Sequence, residues 1–331
     1  MIKFLNNSQE EINEVIELTA QRKQLNTVIV EKDLWVSYLL DYLFNRCIYK
    51  DYFEFKGGTS LSKAYFLIDR FSEDVDIVLD TSVLGIDLYA VMNLESNNQK
   101  TKMAEKINDE ASNFITTKLI PVLENDLNKE TGKDFEIRYE KKELAVYIKY
   151  PSSHNDPYIR SEVKLEIGPL AAWTPFELKD ISSFVCEEYP ELFDKELFSV
   201  RVTKPVRTFW EKSVILHQEA HRENKDIPRR YSRHYYDVHK MYYSFVKQEA
   251  LNNIDLLSEV REFTKTFYNR SWSKFDDAKP GTFKLYPNNS FIDALKEDYE
   301  SMKVMIYKDA PEFEDILVTI KKLEKEINQQ Q

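Results

Sequence analysis

Glycine is scarce in this chain: 331 residues hold six, and two of those stand side by side at Gly57 and Gly58. Cysteine is scarcer still. Cys47 and Cys186 have neither CxxC spacing nor a third thiol beside them, which removes the ligand set of a thiolate zinc site and the framework of a disulfide-dense secreted scaffold. A reducing cytoplasm fits that usage. No stretch of about 18 uncharged apolar residues occurs, so no membrane-spanning helix is predicted. The opening MIKFLNNSQEE has no positive region followed by an apolar run and a cleavage site. The expectation is a soluble, cytoplasmic protein. A basic excess is missing as well: the formal net charge of -11 argues against a generally basic nucleic-acid-binding surface. Two motifs are also absent. No GxxxxGK[ST] run is present, and HQEAH (217–221) carries glutamate at its third position, where a zinc protease HExxH needs it at the second.

What is present is a core and an uneven charge distribution. Hydrophobic residues make up 42% of the chain, enough for one large domain or two ordinary ones, and disorder is excluded for most of it. The 20 tyrosines and 20 phenylalanines read mainly as packing area. Residues 171–200 are acidic (Glu177, Asp180, Glu187, Glu188, Glu191, Asp194, Glu196), and 201–240 reverse the balance.

Periodicity divides the chain. Ser8 and Glu11 have capping-box spacing, which predicts a helix over about 9–23. A second helix is predicted over 31–44, with Glu31 and Asp33 in its first turn, where negative charge is favoured. YFEFKGG reads as a short strand ending at a turn, SLSKAYFLI as a helix from Thr59 or Ser60, and VDIVLD as a strand. Residues 98–125 look mainly helical, then a polar link at 125–134 leads to strand candidates at 135–139, 144–150 and 159–168. From about 207 the pattern is chiefly helical, with a loop at Pro280 and Gly281. A mixed α/β amino-terminal half (1–200) and a helical carboxy-terminal half (201–331) result, read as lobes sharing a cleft.

The stretch FKGGTSLSKAYFLIDRFSEDVDIVLD (55–80) concentrates the chemistry. Consecutive glycines remove side-chain obstruction, so backbone N–H groups near Gly57 and Gly58 can cradle phosphate, with the Thr59 and Ser60 hydroxyls as further donors and Lys63 facing the same anion. Asp74 and Asp76 lie one residue apart on a strand, so their carboxylates share a side while Val75 and Ile77 face the core. Such a pair can hold hard divalent ions beside triphosphate oxygens. A third acid has to come from a neighbouring strand: Glu166 in EVKLEIG is the first choice and Glu162 the second, since both turn away from Val163, Leu165 and Ile167.

FKGGTSLSKAY followed by RFSEDVDIVLD resembles the nucleotidyltransferase toxins of the AbiEii/AbiGii family, found in bacterial abortive-infection and toxin–antitoxin systems. The likeness extends to EKDLWVSYLL, RTFWEKSVILH, RHYYDVHKMY, DYESM and FEDILVTIKKLEKEIN, and so covers almost the whole chain. It implies an α+β fold: a polymerase-beta-like core with a mixed sheet, then a helical lobe closing the catalytic cleft. It also implies transfer of a nucleoside monophosphate from an NTP with release of pyrophosphate, Mg2+ or Mn2+ as cofactor, and a cognate antitoxin as partner. By the same resemblance Lys212 and Asp237 complete the functional set, Lys212 neutralising triphosphate charge and Asp237 orienting Lys212 or an acceptor hydroxyl. The interval between the glycines and the aspartate pair is longer than in a plainer nucleotidyltransferase, which leaves Lys63 and Arg70 as alternative phosphate ligands.

Four of the five histidines, His217, His221, His234 and His239, read as helix-surface or hydrogen-bonding residues, with His234 the one expected to line the nucleotide cleft. The basic segment HRENKDIPRRYSRH lies between Lys212 and Asp237. Its Arg229, Arg230 and Arg233 are expected to guide an acceptor, an RNA or tRNA 3′ end first, with a protein hydroxyl or a small molecule as alternatives. A noncatalytic RNA- or antitoxin-binding protein is the competing class.

Overall fold

The alternation of EVKLEIG and the apolar run after Asp74 supply the centre of a seven-stranded sheet. Its members are β1 (Phe53–Lys56), β2 (Asp74–Leu79), β3 (Glu136–Glu140), β4 (Ala145–Lys149), β5 (Glu162–Gly168), β6 (Phe176–Ile181) and β7 (Phe198–Thr203). Their order across the sheet is β3-β4-β5-β2-β1-β7-β6. β2 runs parallel to β5 and β1 parallel to β7, and the other neighbours are antiparallel. The sheet is therefore mixed, as expected. This computed structural model describes residues 1–72, 74–154, 156, 159–172, 174–223 and 227–330. Within it the chain divides into two units: Met1–Ala64, Ser72–Val91 and Lys102–Thr203 form the first, and Tyr65–Phe71, Met92–Thr101 and Lys204–Gln331 the second.

In the first unit the helix Gln9–Lys23 carries the predicted capping box between Ser8 and Glu11. The next helix departs from expectation. It spans Thr27–Asp41, starting where the Asn26 side chain accepts the Val28 N–H at 2.9 Å, so Glu31 and Asp33 lie inside it, buried, and are not helix-start charges. It packs against β5 and β7, with Trp35 stacked on Tyr150 at a ring separation of 5.5 Å. Burying each such large apolar side chain stabilises the unit by roughly 1.5–3 kcal/mol. The helix Ile120–Thr131 also outruns its prediction, because Leu123, Leu127 and Thr131 continue the buried stripe until Gly132 turns at φ 61°. Most of the expected polar link is thus helical. β6 and β7 lie outside the predicted strands. β6 is an edge strand whose apolar Phe176 and Leu178 take the exposed positions of its alternation, so it gives no inward apolar signal, whereas β7 carries the period-two signal in Phe198, Val200 and Val202.

The second unit is helical, built on Pro205–Ala220, Ser232–Tyr242, Phe245–Asn252, Ile254–Tyr268, Ile292–Met302 and Phe313–Asn328. The helical pattern expected from about 207 is interrupted after Tyr242, where Ser244 accepts the Val246 N–H and starts a new helix. Trp210, Tyr235, Tyr236, Tyr299 and Ile320 lie in its core. The short segment Tyr65–Phe71 is stitched to this unit by the Phe71 N–H donating to Met305 O (2.7 Å), the Tyr307 N–H donating to Asp69 O (2.9 Å), and an ion pair between Lys240 and Asp69 (2.8 Å). Among the described residues no helix is long and apolar enough to cross a membrane.

Candidate active site

β1 ends with Lys56 in register with Asp76 on β2, so the chain enters its first glycine directly beside that carboxylate. Gly57 has φ 78°, and a Cβ placed on it would lie 1.8 Å from Asp76 Oδ2. A side chain at this position collides with the aspartate. The helix begins here, at Gly57, ahead of the predicted start at Thr59 or Ser60, and spans Gly57–Lys63. The positive φ belongs to Gly57 and not to Gly58. The two hydroxyls that follow are engaged by backbone: Thr59 Oγ1 donates to Asp74 O at 2.5 Å and Ser60 Oγ donates to Gly57 O at 2.9 Å. Thr59 thereby ties the glycine turn to the aspartate strand, and Ser60 closes the turn on itself.

On β2, Asp74 and Asp76 are half-buried on one face, while Val75 and Ile77 are buried on the other. The parallel pairing of β2 with β5 sets Asp76 opposite Glu166 and Asp74 opposite Lys164. Glu162 lies one further step along β5, where Arg138 pairs with it at 3.0 Å. Lys164 escaped the sequence reading. Its Nζ is 2.5 Å from Glu166 Oε1 and 2.9 Å from Glu143 Oε2. Burial works to lower its ammonium pKa, but the hydrogen bonds to Glu166 and Glu143, with the charges of Glu166 and Asp74 behind them, hold it above the ordinary range. The signal was present in the alternation of EVKLEIG, where position 164 shares the parity of the two glutamates.

Among the described residues, no three His, Cys, Asp or Glu side chains converge into a closed metal-binding group. The donor chemistry nevertheless suits Mg2+ or Mn2+: Asp74, Asp76 and Glu166 offer only carboxylate oxygen, the ligand type that hard divalent ions take. The bare backbone of Gly57 leaves room for Asp76 Oδ2. Lys63 ends the helix that Gly57 begins, its Nζ 2.5 Å from Asp33 Oδ1, and the second Asp33 oxygen accepts the Phe184 N–H at 2.7 Å. A cavity of about 390 Å³ opens near Leu79, Tyr89 and Pro169, at the opposite end of β2 from Asp74.

The second unit holds a separate buried charge cluster. Arg70 grips Asp237 with both ends of its guanidinium, Nε to Oδ1 and Nη2 to Oδ2, each at 2.7 Å. Lys212 Nζ lies 2.9 Å from Asp237 Oδ2. Burial alone would raise the Asp237 carboxyl, but Arg70 and Lys212 outweigh it and hold it well below the usual carboxylate range. Lys212 is lowered, by burial first and by Arg70, against the pull of Asp237. His234 is buried within reach of these charges, and its Nδ1 has no hydrogen-bond partner among the described residues. Burial, then Lys212 and Arg233, push its pKa well below the ordinary value, so it is a neutral imidazole.

The other histidines are structural, as expected. His217 Nδ1 accepts the Lys284 N–H at 3.1 Å and its Nε2 donates to Lys274 O at 2.9 Å. His221 Nδ1 donates to His217 O at 2.9 Å, and His239 Nδ1 meets Thr319 Oγ1 at 3.0 Å. Within the basic segment, Arg222 is buried against Glu219 and lies over the Trp272 ring at 4.8 Å. Arg229 and Arg230 are exposed and Arg233 is half-buried. Asp298 fixes this turn by accepting the Arg230 N–H at 2.5 Å and the Ser232 N–H at 2.9 Å. Residues 224–226 of the segment lie outside the described residues.

A sequence model of the family described as "Nucleotidyl transferase AbiEii toxin, Type IV TA system" matches residues 38–319. Among solved structures, the chain is similar to MenT4, a nucleotidyltransferase toxin of Mycobacterium tuberculosis, with 14% identity and a TM-score of 0.52 over 95% of this chain and 89% of that one. It is also similar to JHP933 of Helicobacter pylori, with 15% identity and a TM-score of 0.41 over 92% and 95% of the two chains. No curated protein sequence matches it.

Proposed function

Because the chain belongs to the AbiEii family of nucleotidyltransferase toxins, we propose that it moves a nucleoside monophosphate from an NTP onto the 3′ hydroxyl of an RNA, a tRNA first. In this reaction the acceptor oxygen forms a bond to the α-phosphorus, the α–β phosphoanhydride breaks, pyrophosphate leaves and the hydroxyl proton passes to solvent. The observation that carries the reading is the register of β1, β2 and β5, which stands Asp76 between the glycine turn and Glu166.

Asp74, Asp76 and Glu166 are the carboxylates that would hold Mg2+ or Mn2+, which when bound supplies positive charge to a triphosphate and its leaving group. Gly57 and Gly58, with Thr59 and Ser60 bracing the turn, would present backbone to the phosphates. Lys212 would neutralise triphosphate charge. Asp237 would orient it through their ion pair and holds Arg70 in the same way, while Lys63, paired with Asp33 at the end of the glycine helix, and Arg70 are the alternative further phosphate ligands. Arg229, Arg230 and Arg233 would position the RNA through phosphate contacts that require no base readout. A cognate antitoxin is the proposed protein partner.

The test is incubation of the purified protein with cell extract and each α-labelled NTP, followed by separation of RNA, protein and small-molecule products. Label should appear at an RNA 3′ end and be abolished by EDTA. Asp74→Ala and Asp76→Ala should each lower transfer by at least about 100-fold with the circular dichroism unchanged. Equal transfer by the wild type and the double variant would reject the assignment of the aspartates, and label in protein alone would reject the RNA acceptor.

A further inference from the structure

The polar face of the sheet carries charge in rows. One row crosses four strands as Arg138, Tyr147, Lys164 and Asp74, and the next reads Glu140, Ala145, Glu166 and Asp76. A lysine therefore stands in the middle of the carboxylates, one strand from Asp74 and two residues from Glu166. Its position is held from the far side: Glu143 Oε2 receives both the Lys164 ammonium at 2.9 Å and the Tyr147 hydroxyl at 2.8 Å. From that anchor the ammonium reaches Glu166 Oε1 at 2.5 Å. About a fifth of the Lys164 side chain is exposed, while Glu166 and Glu143 are more open to water at 37% and 49%.

We propose that Lys164 is an internal counter-ion of the donor site, occupying Glu166 until a divalent cation displaces it and so setting the cation concentration at which the site fills. This rests on the reading of Asp74, Asp76 and Glu166 as the donor carboxylates. The argument is one of charge and space. A carboxylate oxygen in contact with an ammonium is not open to a second cation at bonding distance, and two cations on neighbouring ligands repel. Filling the site through that oxygen therefore requires the ammonium to withdraw from Glu166 toward Glu143, which already holds it. Lys164 acts on the cation through Glu166 and is a positioning residue. It makes the donor set weaker for a lone ion than three carboxylates would otherwise be, so a cation that arrives together with the negative charge of a triphosphate gains more from the site than a free one.

The experiment is Mn2+ titration of the purified full-length protein without nucleotide, with free Mn2+ read by electron paramagnetic resonance. Lys164→Gln should bind Mn2+ at least about tenfold more tightly than the wild type, the equivalent of about 1.4 kcal/mol, and Lys164→Met, which keeps the aliphatic stem, should do the same. Lys164→Arg retains the charge and should stay within about threefold of the wild type, since tenfold marks removal of the full charge. Asp74→Asn with Asp76→Asn should abolish the site. If that double variant removes binding but both neutral Lys164 variants bind Mn2+ no better than the wild type, the counter-ion role fails while the donor assignment stands. If Mn2+ binding survives the double variant, the donor assignment fails and the counter-ion role falls with it.

Discussion

At the scale of single residues, Gly57 is the most constrained position. Its φ of 78° and the 1.8 Å approach of an added Cβ to Asp76 Oδ2 combine two costs in one substitution. Gly57→Ala must strain the backbone by roughly 1–2 kcal/mol and push the Asp76 carboxylate aside. A shift of about 1 Å in a reacting constellation costs on the order of 100-fold in rate, so nucleotide transfer by this variant should fall by about that factor. Gly132→Ala is the control: it has a φ of 61° but open space around its Cβ, and should lose stability without losing transfer. Transfer from labelled NTP and urea unfolding separate the two effects, and full activity in Gly57→Ala would remove the steric argument. Asp237 shows the opposite constraint. It is fully buried with Arg70 and Lys212 on its two oxygens, where removing one partner of a buried ion pair leaves uncompensated charge.

At the scale of elements, the helices Pro205–Ala220 and Ser232–Tyr242 carry histidines that are neutral in the folded state. Burial lowers His217 to about 4, where the Lys274 carbonyl works the other way and His221 adds to the lowering. Burial, followed by Lys240, lowers His239 to about 4. In the unfolded chain both titrate near 6.5. Between about pH 6.5 and pH 4 the unfolded state therefore binds protons that the native state does not, and stability rises with pH across that window. Acidification from pH 7 toward 4.5 should destabilise the helical unit by about 1.4 kcal/mol per pH unit for each of these two histidines, and for the buried neutral His234 as well, once below 6.5. His239→Gln should remove roughly one proton's share of that slope. Urea unfolding followed at several pH values measures it, and a stability that is flat from pH 6.5 to 4.5 would contradict the buried-neutral assignment. β5 makes the complementary point for the sheet. Its period of two presents Glu162, Lys164 and Glu166 on one face, and pairing with β2 sets Glu166 opposite Asp76.

For the whole molecule, the charge of -11 sets how an RNA would be held. An acidic protein repels polyanions in general, so attraction has to come from a few local cations, and the salt dependence of binding counts them. Replacing Arg229, Arg230 and Arg233 by Gln should weaken tRNA binding. It should also reduce the slope of log affinity against log salt concentration by about 0.7–0.9 for each RNA phosphate that is no longer neutralised, with the NTP dependence unchanged. An unchanged tRNA dependence and salt slope would place the acceptor elsewhere. A loss of NTP affinity at fixed acceptor would instead put these arginines at the donor.

The amino-acid sequence alone determined what neighbours along the chain decide. The capping box at Ser8, the shared side of Asp74 and Asp76, the parity of Glu162 and Glu166 and the coincidence of the glycine pair with the aspartate strand are all short-range patterns, and the fold preserves them. The family resemblance rests on the same local motifs. Apart from Lys212 and Asp237, which the resemblance had joined, the tertiary structure decided which charges meet. Lys63 turns to Asp33, 30 positions away, and Arg70 to Asp237, 167 positions away, while Lys164 and Asp74 become neighbours only because β2 and β5 run parallel. The physical reason is that periodicity depends on rotation per residue, which the chain carries locally. An ion pair depends on distance in space and on burial, and separation along the chain encodes neither.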